Sequence, residues 1–156
     1  MTPLFKKLNF KTHKHIVVVN APDSFKDEMK AMAAVTDVKD KVPSGEIEFF
    51  MAFVTKQKEV DDLSGKIAPR LSADGCFWFV YPKGTSKKYT CEFNRDSGWA
   101  AMGQAGFEPV RMVAVDEDWS ALRFRRVENI KKMTRSFAIT TKGKERTAGK
   151  TAAKKK

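Results

Sequence analysis

The sequence predicts an α/β sandwich built on a mostly parallel sheet with an antiparallel hairpin at its end. Three observations carry that expectation. Two dense apolar runs, Ile47-Glu48-Phe49-Phe50-Met51-Ala52-Phe53-Val54 and Cys76-Phe77-Trp78-Phe79-Val80-Tyr81, flank a stretch of helical periodicity. Nearly continuous apolar strands of this kind are covered on both faces, as parallel strands are. A shorter β-branched run, His15-Ile16-Val17-Val18-Val19-Asn20, precedes them, and two strand-like runs follow before a lysine-rich tail.

Taken in order, the run at 15–20 ends at Ala21-Pro22 and is the first strand. Asp23 and Ser24 are helix-capping types, and Phe25, Met29 and Met32 recur at spacings of four and three, one apolar helical stripe. Residues 35–42 are charged and weakly patterned, a short edge strand, and Pro43-Ser44-Gly45 is a turn. Beyond the strand at 47–54, Val60, Leu63, Ile67 and Leu71 recur at helical spacings, with Pro69 kinking or ending that helix. Asp74-Gly75 reads as the turn into the strand at 76–81, and residues 82–96 as a polar connection. Arg95-Asp96-Ser97-Gly98 reads as a helix start, with Trp99 and Met102 turned to the core and Gly106 as C-terminal cap. Residues 110–115 and 121–127 read as two strands joined through Glu117 and Asp118. The alternation in Leu122-Arg123-Phe124-Arg125-Arg126 gives the last strand one solvent face. Ile130, Met133 and Phe137 pattern a short final helix. Right-handed crossovers would place helices on both faces, a Rossmann-like three-layer sandwich.

The 156 residues suit one domain, expected at 1–140, with a lysine-rich tail at 141–156. Hydrophobic residues at 42%, with twelve Phe and three Trp, suffice for a core without metals or disulfides. No apolar run approaches the ~20 residues that span a bilayer, and the N-terminus lacks a secretory pattern. No membrane association and a cytoplasmic location are therefore expected. Cys76 and Cys91 lack zinc-type spacing, and Cys76 opens a buried strand as a small core residue. The net charge is +11; from Lys142 onward seven basic residues stand against Glu145 alone, a surplus of six. With no large apolar residue after Ile139, the tail is expected to be disordered. It would attract polyanions through counterion release, or merely solubilise the chain.

Ile67-Ala68-Pro69-Arg70-Leu71-Ser72-Ala73-Asp74-Gly75 entering a strand, and Ala105-Gly106-Phe107-Glu108 entering a hairpin, resemble the C-terminal half of the class I S-adenosylmethionine-dependent methyltransferase fold. Tyr81-Pro82-Lys83 with Asn94-Arg95-Asp96-Ser97-Gly98-Trp99, and Asp118-Trp119-Ser120-Ala121-Leu122-Arg123-Phe124-Arg125, are similar to segments of a family of small bacterial Rossmann-like proteins. This second resemblance covers most of the chain before the tail and implies a fold without an established activity. The chain departs from the cofactor-binding pattern of such folds, which needs glycines after the first strand. No glycine lies between Met1 and Pro43, Pro22 lacks an N–H, and Asp23 is negative where phosphate would sit. No acidic residue clearly closes a second core strand. No cofactor is expected, neither S-adenosylmethionine nor a dinucleotide.

Ligands of open α/β sheets sit outside the carboxyl ends of the strands. That edge should gather Asn20, Asp23, Thr55, Lys56, Tyr81 and Lys83, with the loop at 94–97 and the hairpin tip at 116–119. Lys83, Asn94, Arg95 and Ser97 form the candidate anion site, at a helix start whose N–H groups would add to the charge. The alternative is that Asp96 or Ser97 caps that helix while Arg95 pairs with a carboxylate. Trp119 either covers a ligand or closes the sheet end. Lys83 has no partner at a spacing that would make it a base or nucleophile. His13 and His15 share a side of the chain but lack a third metal ligand, and no catalytic triad signature occurs. Arg123, Arg125 and Arg126 with Lys131, Lys132 and Arg135 form a basic surface continuous with Lys154, Lys155 and Lys156. It is a candidate nucleic-acid platform or a solvated charged face, and it offers no exposed aromatic for base stacking. The leading expectation is a non-catalytic binding module for a small anionic ligand. The alternatives are nonspecific nucleic-acid association through the tail and a degenerate methyltransferase-like partner subunit.

Overall fold

The structure, a computed structural model, describes residues 1–93 and 97–130. Strands β1 (His15–Val19), β2 (Asp37–Lys39), β3 (Ile47–Phe53) and β4 (Leu71–Pro82) run parallel. Strands β5 (Phe107–Ala114) and β6 (Trp119–Arg126) form an antiparallel hairpin, and β6 pairs antiparallel with β4. The six-stranded order is β2-β1-β3-β4-β6-β5. The predicted Rossmann-like three-layer sandwich is thus what the chain forms.

Layering follows from the crossovers. From β1 the chain steps outward to β2 through a 3-10 turn (Asp23–Phe25) and helix α2 (Lys26–Met32). From β3 it steps the other way, to β4, through helix α3 (Gln57–Ile67). Right-handed crossovers in opposite directions deposit their helices on opposite faces. Phe25 and Met32 accordingly pack on one face with Phe49, Met51, Phe53, Trp78 and Val80. Val60 and Ile67 pack on the other with Phe50, Ala52, Phe77 and Phe79, joined by Met102 of helix α4 (Ala100–Gln104). The two apolar runs of the sequence supply both faces of the two central strands.

Between β2 and β3 the chain has only residues 40–46 in which to return past β1. The short β2 makes this feasible: Lys39 is level with Val17, and Phe50 of β3 is also level with Val17. The displacement to Ile47 is therefore about 10 Å along the sheet and about 10 Å across it, within reach of seven extended residues. Arg70 anchors this crossing, its Nε donating to the Gly45 carbonyl at 3.0 Å and its Nη2 to the Pro43 carbonyl. Gly45 has φ of +88°, a conformation glycine adopts without strain.

One helix the sequence did not signal is added, and three local expectations are corrected. Helix α1 (Pro3–Lys7), which carries no periodic signal, is started by Thr2, whose Oγ1 accepts from the Phe5 N–H at 3.2 Å. It buries Phe5 and Leu8 against the α2 face, and the Trp78 Nε1 donates to the Leu8 carbonyl at 3.0 Å. Asp23 and Ser24 do not cap α2; no side-chain cap bond is made there, and Asp23 pairs with Lys26 at 3.1 Å.

Asp74-Gly75 is not a turn before the strand but a bulge inside it. Ile47 faces Leu71 and Phe49 faces Cys76, so β4 carries three extra residues across one two-residue step of β3. A Cβ on Gly75 would lie 2.8 Å from Ser72 Oγ and 3.0 Å from the Glu48 carbonyl oxygen, which leaves room for glycine alone. Lastly, β6 lies inside the sheet, between β4 and β5, and Trp119 through Leu122 are all buried. Its alternation reflects arginines on the outer part of one face, not a whole solvent face. The predicted final helix at 130–137 lies almost wholly outside the described residues, and residues 127–129 form a 3-10 turn.

Candidate functional site

Residues 83–93 leave the carboxyl end of β4 as an arch, and residues 97–99 lead into α4. Both feet of the arch are fastened. At one foot, the Lys83 N–H donates to the Asp118 carbonyl at 2.8 Å, and Ser86 Oγ donates to Asp118 Oδ1 at 2.9 Å. The same Ser86 oxygen accepts from the Tyr89 N–H at 3.2 Å, and the Tyr89 ring lies 4.7 Å from that of Trp119. At the other foot, Glu92 donates its N–H to the Thr55 carbonyl at 3.0 Å and accepts the Gln57 N–H at 2.8 Å. Gln57 Nε2 then donates to the Gly98 carbonyl at 2.7 Å. Gly98 has φ of +90°, and a Cβ there would meet the Phe93 Cβ at 2.5 Å.

Under the arch is a cleft of about 830 Å³, large enough for a small-molecule ligand. Its floor is apolar, from Tyr81, Phe93 and Met112, with the Tyr81 hydroxyl 3.4 Å from Met112 Sδ. Its walls carry hydroxyls from Thr85, Ser86, Thr90, Ser97 and Ser120, and two charges, Lys83 and Glu92. Glu92 is held by the Gln57 N–H, whereas Lys83 has no ion-pair partner among the described residues. Cys91 also lines the cleft, and burial pushes its thiol up, so it is a protonated thiol rather than a nucleophilic thiolate near neutrality. The groups assembled here can bind and orient an anion; they include no activated nucleophile.

The structure brings Lys83 and Ser97 together in this cleft. Asn94 and Arg95 lie outside the described residues. The expected helix start at Ser97 is displaced: α4 begins at Ala100 after Trp99, because Gly98 holds a positive φ, and it is five residues long. Ser97 thus contributes a hydroxyl, not a capped helix end. Trp119 does not line the cleft; it is buried against Phe53, ring centroids 5.0 Å apart, and meets the arch through the Tyr89 ring, 4.7 Å away. Ser86, Tyr89, Thr90 and Glu92 were overlooked because residues 82–96 read only as a polar connection. The hydroxyl-rich spelling Thr85-Ser86 and Tyr89-Thr90 was the available signal.

The expected basic surface is partly spent inside the molecule. Arg125 forms two bonds to Asp74, at 2.9 and 2.7 Å, which hold the Asp74 carboxyl below the usual range. Arg126 donates to the carbonyls of Ala68, Leu71, Ser72 and Ala73. Among the described residues Arg123 has no such partner. Lys131, Lys132, Arg135, Lys154, Lys155 and Lys156 lie outside the described residues. His13 and His15 have separate surroundings. His15 Nε2 accepts from the Glu48 N–H at 3.2 Å, while His13 packs on Phe10 and Phe49 with its Nε2 3.9 Å from Cys76 Sγ. No cluster of three or more His, Cys, Asp or Glu able to hold a metal occurs among the described residues. No helix among them is long and apolar enough to cross a membrane.

No family model matches the chain, and no curated protein matches it in sequence. Among solved structures it is similar to the pyocyanin biosynthetic protein PhzM, with TM-score 0.50 at 11% identity over 78% of this chain. The chain spans about half the length of that protein, 52% of it. It is also similar to a protein of the NADB-Rossmann superfamily from Streptococcus agalactiae, with TM-score 0.45 and 8% identity over 81% of this chain and 68% of that one. A protein described as a type 11 methyltransferase from Sulfolobus solfataricus gives TM-score 0.43 and 8% identity over 78% of this chain and 89% of that one. These are Rossmann-like and methyltransferase folds, and the likeness is one of fold.

Folds of this kind hold an adenosine-bearing cofactor at the switch point, here between β1 and β3, where the chain's crossovers change direction. The residues present there do not fit one. Asp40 follows β2, where an acidic side chain would reach a ribose, a position hidden in the sequence by the weakness of that strand. The turn after β1 nevertheless offers Pro22 in place of an N–H donor and an exposed Asp23. Phe25 then packs on Phe53, the last residue of β3, with ring centroids 4.9 Å apart.

Proposed function

We propose that this protein is a non-catalytic binding module for a small anionic ligand, held in the cleft beneath the 83–93 arch. The observation that supports it most is an unpaired lysine, Lys83, in a cleft lined by five serine and threonine hydroxyls over an apolar floor. A lysine so placed binds as a point charge, the hydroxyls both donate and accept, and the floor excludes water from one side of the ligand. The two segments that resemble the family of small bacterial proteins, 81–99 and 118–125, are also the two joined at this cleft through Ser86 and Asp118.

The test is a thermal-shift screen of the full chain against nucleotides, phosphorylated metabolites, carboxylates and S-adenosylmethionine, repeated with Lys83→Ala. A bound anion should lose roughly tenfold or more in affinity in the variant, the worth of one charged hydrogen bond. Unchanged affinity for every hit would remove the site from consideration.

A further inference from the structure

On the hairpin, away from the cleft, two arginines stand directly opposite each other: Arg111 of β5 is the register partner of Arg123 of β6. Both side chains project on the α1/α2 face. Side chains alternate along a strand, so Arg123 shares the side of Trp119 and Ala121, and Arg111 that of Val113. All three of those neighbours pack in the cluster on that face. Like charges at opposed positions of an antiparallel pair destabilise it. Sequence choice therefore works against stability at this point.

The nearby carboxylates do not resolve the conflict. Asp74 is committed to Arg125 through two hydrogen bonds, and Glu108 stands opposite Arg125, not Arg123. Among the described residues neither Arg111 nor Arg123 has an ion-pair partner. The Nε of Arg123 is buried without any hydrogen-bond partner. A buried guanidinium N–H left unmet is costly and asks for an acceptor. Arg111, by contrast, is exposed, so the pair is open on one side. Lys11 and His13 lie at the neighbouring edge of this face, and Glu48, the carboxylate beside His13, accepts from the Lys14 N–H at 2.9 Å.

We propose that Arg111 and Arg123 together bind a dianionic oxyanion of the phosphate class. Two guanidiniums from directly opposed positions of adjacent strands put two positive charges on one face of the hairpin, and a tetrahedral dianion bound between them neutralises both. The site is separate from the Lys83 cleft and does not depend on it. The phosphate can be free or carried on a monoester; the shared chemistry is the dianionic oxyanion, which a nucleic-acid phosphodiester, a monoanion, does not offer.

The full chain is unfolded thermally in phosphate-free buffer while inorganic phosphate is titrated in at constant ionic strength, with Arg111→Gln and Arg123→Gln in parallel. At about ten times its dissociation constant, phosphate should raise the wild-type Tm by roughly 3–6 °C. Both variants should lose that rise. Because Arg111 is exposed, Arg111→Gln folds, and without phosphate it should match or exceed the wild-type Tm. An equal rise in Arg111→Gln, or none in the wild type, overturns the proposal. A single-stranded oligonucleotide forms the second arm. If the arginine pair matters only for the oligonucleotide and not for phosphate, this is a polyanion-facing surface and the phosphate site is wrong.

Discussion

At the scale of single residues, His13 shows how packing sets chemistry. Its ring lies between Phe10 and Phe49, and burial lowers its pKa from 6.5, with Glu48 opposing and the positive charge of Arg123 adding to the effect. A histidine depressed in the folded state takes up its proton first in the unfolded chain. Below about pH 6.5 the unfolded state therefore binds more protons, and stability falls as pH falls. The contribution is complete above that value and lost progressively beneath it. Urea unfolding at about pH 7.5 and about pH 5.5 should show a larger loss for the wild type than for His13→Gln. Equal losses would mean that His13 titrates alike in both states. The same packing explains why two nearby histidines in the sequence do not make a metal site: His15 is turned to the Glu48 backbone instead.

Among the elements, the bulge in β4 is the least regular and the most heavily braced. Arg126 gathers three of its carbonyls, those of Leu71, Ser72 and Ala73, together with that of Ala68 in the preceding 3-10 turn, through two nitrogens, while Asn129 Nδ2 donates to the Ala73 carbonyl at 2.8 Å. The Arg126 guanidinium also lies 5.1 Å from the Phe107 ring centroid, on the partner strand of the hairpin. Arg126→Ala should cost about 2–3 kcal/mol in denaturant unfolding, since several acceptors lose a charged donor at once. Arg126→Lys should recover little, because one ammonium cannot reach across four carbonyls. A loss under about 0.5 kcal/mol would show that water replaces the brace. The central strands were legible because their apolar runs are long and uninterrupted, and so was α3, which begins and ends where Val60, Ile67 and Pro69 say it should. The bulge was not legible, because Asp74-Gly75 has the same spelling as a turn and only the pairing of Phe49 with Cys76 distinguishes them. Nor was the role of Arg125 and Arg126 legible, since their partners lie about fifty residues upstream. The cleft was half visible: Lys83 and Ser97 could be placed by strand order, but the clasp of Ser86 on Asp118 depends on a tertiary meeting.

Across the whole molecule, the switch point of the sheet is bordered by an aromatic row, and open polar chemistry is left on two flanks. The row runs from Phe25 to Phe53 to Trp119 to Tyr89, with centroid separations of 4.9, 5.0 and 4.7 Å. On one side lies the Lys83 cleft, whose floor is built from the α3/α4 face. On the other lies the Arg111–Arg123 pair, on the α1/α2 face. Arg123 is level with Trp78, five residues before Lys83 along β4, or about 16 Å of extended strand. The sites share no side chain, and the sheet between them is packed on both faces. Substitutions separated by more than about 7–10 Å without shared partners add within about 0.3–0.5 kcal/mol. The double variant Lys83→Ala with Arg123→Gln should therefore unfold with the sum of the two single effects, measured by denaturant titration in phosphate-free buffer. A coupling above about 1 kcal/mol would mean that the central strands transmit a change from one face to the other. The two proposed anion sites would then have to be treated as one linked system, in which occupancy of the arginine pair alters affinity in the cleft and the reverse, as linkage requires.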